Sequence, residues 1–149
     1  MKLAEALQLR ADLNKQIDML QRRISNNIVV QEGDKPAEEP KELINQLNDC
    51  LKQQEELIGK INLVNCSTLV GDKTLTELIA EKDILMTKIN AYRDIVAKAS
   101  NIASRMTRTE IRYMSTVNAR EIQKEVDTMS ATLRKLENII QQTNWTTEL

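Results

Sequence analysis

Residues 74–103, TLTELIAEKDILMTKINAYRDIVAKASNIA, decide the fold. Leu75, Leu78, Lys82, Leu85, Ile89, Tyr92, Val96, Ala99 and Ala103 recur in alternating steps of three and four. That spacing draws one apolar seam along a long amphipathic helix. Thr74 and Glu77, just past Gly71-Asp72, form the S/T-x-x-E capping box, which predicts a helix start at Leu75. The same pattern appears three more times. The first seam runs Leu3, Ala6, Arg10, Leu13, Ile17, Leu20, Ile24, and the second Ile44, Leu47, Leu51, Gln54, Ile58, Ile61. The last runs Ile122, Val126, Met129, Leu133, Leu136, Ile140. Pro40 suits the first turn of the second helix, with Glu38, Glu39 and Glu42 on the favourable side of its dipole. Asn118 with Glu121 marks the start of the fourth.

Four helices of similar length, roughly 40 Å each at 1.5 Å per residue, favour antiparallel up-down-up-down packing. The expected fold class is all-α: a single helical domain over residues 1–149, a four-helix bundle or coiled coil. Two connections read differently. Ile28-Val29-Val30 is β-branched, and Ile111, Tyr113, Ser115 and Val117 alternate with strand period. In an up-down-up-down chain both connections emerge at one end. The expectation is therefore a two-stranded β cap formed by residues 28–31 and 111–117.

Composition excludes much chemistry. The chain has 149 residues, 21 Lys plus Arg against 22 Asp plus Glu, 2% aromatic residues, three Gly, two Pro and no His. Without His there is no imidazole base, no His metal ligand and no Ser-His or Cys-His nucleophile pair. Three glycines build neither GxGxxG nor GxxxxGK[ST]. No catalytic residue, cofactor or metal is expected, and the protein reads as a non-enzyme. Near-zero net charge and few aromatics argue against nucleic acid as a partner. No apolar run approaches the roughly 18 residues of a membrane span, and residues 1–10 do not form a signal peptide. The expected location is the cytoplasm, with no membrane partner. Cys50 and Cys66, sixteen positions apart on one helix, would lie roughly 24 Å from each other, beyond disulfide reach. They read as two buried thiols packed like small hydrophobes.

Candidate interaction residues follow from what the seams leave over. Acidic residues gather at 32–42, and Arg105, Arg108 and Arg112 gather with Tyr113 in the third connection. Mutual neutralisation of these loops, head-to-head pairing of subunits and an anion or nucleic-acid site are three readings of that division. Trp145 near the C-terminus either closes the bundle end or anchors an oligomer contact. Narrow seams almost without aromatics fill only a slender core. Leu9, Ile28, Leu57, Leu63, Ile79, Ile84, Ile95 and Ile139 are left to be covered by a partner. The partner expected is the protein itself, as a homo-oligomer.

Several segments also resemble a known family. Met1-Lys2-Leu3-Ala4-Glu5-Ala6-Leu7 followed by Arg10-Ala11-Asp12-Leu13, Val30-Gln31-Glu32-Gly33-Asp34-Lys35-Pro36-Ala37-Glu38, Thr74-Leu75-Thr76-Glu77 and the ending Asn144-Trp145-Thr146-Thr147-Glu148-Leu149 carry the likeness. Together they are similar to the small bacterial proteins labelled septicolysin. The resemblance implies a helical bacterial protein without established activity, and its label a membrane-acting cytolysin. The residues oppose the label, since no strongly basic amphipathic face is present.

Overall fold

Among the described residues four helices form along the seams: α1 Leu3–Asn27, α2 Pro40–Ser67, α3 Leu75–Ser100 and α4 Ala119–Thr146, with Ala103 of the third seam outside those residues. The computed structural model describes residues 1–101 and 113–149. The helix starts follow local chemistry. The Thr74 hydroxyl accepts the Glu77 N–H, and Glu77 Oε2 accepts the Thr74 N–H at 2.6 Å, closing the capping box of α3. Asn118 Oδ1 accepts the N–H groups of Arg120 and Glu121 at the head of α4. Pro40 opens α2, where its missing N–H is harmless.

The fold is all-α with one small sheet, but the sheet is not the expected cap. β1 Leu69–Val70 pairs with β2 Lys73–Thr74 across Gly71-Asp72. Gly71 takes φ +67°, a conformation that disfavours a side chain. Residues 28–31 and 113–117 join no ladder among the described residues, while 111–112 lie outside them. Ile28, Val29 and Val30 are instead exposed, and the first connection turns through Gly33 at φ +90°, with Asp34 N–H donating to Gln31 O at 2.9 Å. β-branching suits a pleated, half-buried surface, and this loop offers none.

Two compact units divide the chain: Met1–Val70 with Thr143–Leu149, and Gly71–Gln142. In the first, α1 and α2 pack antiparallel. Leu3, Ala6, Leu13, Ile17 and Leu20 are buried together with Leu43, Leu57 and Ile61. The first seam therefore has the expected register, whereas that of α2 is rotated by one residue at three positions. Leu43, Cys50 and Leu57 turn inward instead of Ile44, Leu51 and Ile58. Leu57, expected to await a partner, is core. Gln54 Nε2 donates to Asn14 Oδ1, and the Cys50 thiol lies 3.8 Å from Gln16 Oε1, so the polar seam positions of α2 are answered from α1. In the second unit, Leu75, Leu78 and Ile89 of α3 and Val126, Leu136 and Ile140 of α4 are buried, in the expected register.

Candidate functional site

In the first unit the connection between α1 and α2 is tied down by a cluster absent from the spacing analysis. Arg23 donates to both carboxylate oxygens of Glu38, from Nε at 3.0 Å and from Nη2. Buried Asn27 links the same groups: its amide donates to Arg23 O at 2.8 Å and its Oδ1 accepts the Glu38 N–H at 3.0 Å. The hydrogen-bonded guanidinium holds the Glu38 carboxyl below its usual range, and the carboxylate raises Arg23. Glu38 therefore finds its partner on α1. Sequence offered a faint signal, because Asn27 continues the Leu20-Ile24 step of the first seam.

At the other end of this unit the two termini pair. The Leu3 N–H, a helix-start donor without an intrahelical acceptor, reaches Thr147 O at 2.9 Å, and Leu149 N–H reaches Met1 O at 2.8 Å. Lys2 Nζ sits 2.6 Å from Glu148, and the Met1 ammonium 3.1 Å from it. Trp145 does not close this end, being 58% exposed. Its neighbour Asn144 is the buried residue. Helical rotation by one position turns the ring outward.

Of the other expected interaction residues, Arg105, Arg108 and Arg112 lie outside the described residues. Tyr113 is exposed and borders a groove of about 610 Å³ in the second unit, between the last turns of α3 (Asp94, Ile95, Lys98) and residues 113–117. The Ser115 hydroxyl fixes that segment by donating to Val117 O at 2.7 Å and accepting the Val117 N–H. Among the described residues that line it, the groove brings together no catalytic pair. Among the described residues no group of three His, Cys, Asp or Glu is placed to hold a metal. Cys50 is half-buried and Cys66 exposed, with no disulfide between them, so they are not the two core thiols expected.

Apolar helix surface is more abundant than polar chemistry. On α2, Ile44, Leu51 and Ile58 are 41%, 44% and 36% exposed, seven residues apart on one face. On α3, Ile84 and Ile95 are 69% and 42% exposed, on a helix with apolar residues on every side. No described helix is long and apolar enough to cross a membrane.

Comparison with known proteins fits a fold without an assigned activity. A functionally unknown conserved protein from Corynebacterium diphtheriae, known from its crystal structure, is 35% identical. The similarity covers 100% of this chain and 98% of that one, with a TM-score of 0.94. No curated protein sequence matches. Residues 10–149 match the group described as Family of unknown function (DUF6847). That match overturns the septicolysin resemblance: the segments quoted for it from Arg10 onward fall within the matched residues, and the cytolysin reading loses its basis. The chain belongs to DUF6847, a family of unknown function.

Proposed function

We propose that the protein works without catalysis, as a helical module that associates with copies of itself through exposed apolar helix faces. The observation that supports this most directly is the α2 stripe. Ile44, Leu51 and Ile58 repeat at heptad spacing beside a seam already committed to α1. A strict seven-residue apolar repeat is the pattern that seats one helix against another. A contiguous apolar surface on a small protein marks an interaction site more often than chance exposure does. The absence of His from all 149 residues supports the non-enzymatic half of the reading. A cytoplasmic setting belongs to the proposal too, supported by two cysteines that form no disulfide, as a reducing compartment favours.

Sedimentation equilibrium on the full chain tests it. The expected mass is at least twice 17.0 kDa at micromolar concentration. A monomer across the accessible concentration range refutes self-association.

A further inference from the structure

The face of α3 turned away from its seam carries Glu77, Ala80, Ile84, Ala91, Ile95 and Lys98, every one exposed, the last two also lining the groove beside residues 113–117. At 3.6 residues per turn they fall in a band about 60° wide. Their spacing along the helix is 3, 4, 7, 4, 3, the same in both directions. A face with palindromic spacing meets its own reversed copy residue for residue. From this we infer that α3 pairs antiparallel with α3 of a second copy about a two-fold axis between Thr87 and Lys88. The inference rests on the self-association proposed above and names the surface.

The residue types favour this arrangement over its alternatives. In the antiparallel register Glu77 stands opposite Lys98 of the second copy, Ala80 opposite Ile95, and Ile84 opposite Ala91. Each isoleucine meets an alanine, so the helices approach closely, and the two-fold axis makes every pair twice. Parallel pairing would set Glu77 on Glu77, Lys98 on Lys98 and Ile84 on Ile84, with like charges at both ends. The charged ends are available. Glu77 is held by Thr74 through Oε2 alone, and Lys98 makes no ion pair among the described residues. At the centre, the Lys88 ammonium lies 5.4 Å from the Tyr92 ring centroid, drawn to the edge of the face. The α2 stripe, spaced 7 and 7, also reads the same in both directions, but it would set Ile44 against Ile58 and Leu51 against itself, large side chain on large.

The test uses the full chain with Cys50 and Cys66 replaced by Ser. With Ala80→Cys and Ile95→Cys together, a short bifunctional maleimide is expected to give a covalent dimer. With Ala80→Cys alone it is expected to give none, because the two copies of residue 80 would be about 22 Å apart. Ile84→Glu, at a position so exposed that folding is spared, is expected to weaken association at least about tenfold with unchanged circular dichroism. A parent chain that is monomeric overturns both the surface and the self-association behind it. A parent chain that associates while Ile84→Glu leaves its mass unchanged and the double cysteine variant fails to cross-link overturns the α3 surface only. Efficient cross-linking of Ala80→Cys alone overturns the antiparallel register.

Discussion

Asn27 does the most for the first connection with the least side chain. It is buried, closes the last turn of α1 through Arg23 O, and satisfies the backbone N–H of Glu38. An alanine there leaves the Glu38 N–H without its acceptor, while Arg23 O keeps its helical backbone donor, so Asn27→Ala is expected to lower stability by about 1–2 kcal/mol in urea unfolding. A second residue-scale prediction concerns acid. Lys2, and after it the Met1 ammonium, hold the Glu148 carboxyl below the ordinary glutamate value. A depressed carboxyl contributes stability that is complete above its unfolded value, near pH 4.3, and is lost as pH falls through the lower folded value. Thermal melts of the parent chain and Glu148→Gln should therefore differ at pH 7 and converge as pH falls through that lower folded value. A gap that stays constant with pH would refute the pairing. Neither site was legible from sequence. Glu38 lies in an acidic run whose members look alike, and only the fold reveals which of them meets an arginine.

The register of α2 is the element-scale question. Two stripes, Leu43-Leu47-Cys50-Gln54-Leu57-Ile61 and Ile44-Leu47-Leu51-Gln54-Ile58-Ile61, share three members. Identical substitutions separate them. Leu57→Ala should cost about 2–5 kcal/mol, as a truncation in a packed core does, and Leu51→Ala about 1 kcal/mol. Equal costs in urea unfolding would restore the other stripe. Hydropathy favours the wrong one, since Leu51 is more apolar than Cys50. What decides is complementarity with α1, where Gln16 faces Cys50 and Asn14 meets Gln54, and a single helix does not encode its neighbour. The seams of α1, α3 and α4 were legible, that of α3 although its helix is apolar on every side, as were the starts at Pro40, Leu75 and Ala119, whose caps are local chemistry. The sheet fell between these cases. Gly71-Asp72 was visible as a turn, but two-residue strands are too short for a period, and the β-branched Ile28-Val29-Val30 drew the expectation elsewhere.

At the scale of the molecule, the first unit is built from both ends of the chain. Residues 143–149 return to it after α3 and most of α4 have gone to the second unit. Leu3 and Ala6, both fully buried, lie next to the point of return. Deleting residues 147–149 removes the acceptor for the Leu3 N–H and the Leu149 bond to Met1 O. Two lost backbone bonds are worth about 2 kcal/mol locally. Local opening then becomes up to about thirtyfold more frequent. Native-state hydrogen exchange reads this directly. The Leu3 and Ala6 amides should exchange faster in the truncated chain, with those of Leu78, Ile89 and Val126 unchanged. Each unit has its own set of buried side chains among the described residues, and on that ground the two are expected to open separately. Equal acceleration in both units would mean that they open as one cooperative body, and a substitution in either would then be felt throughout the chain.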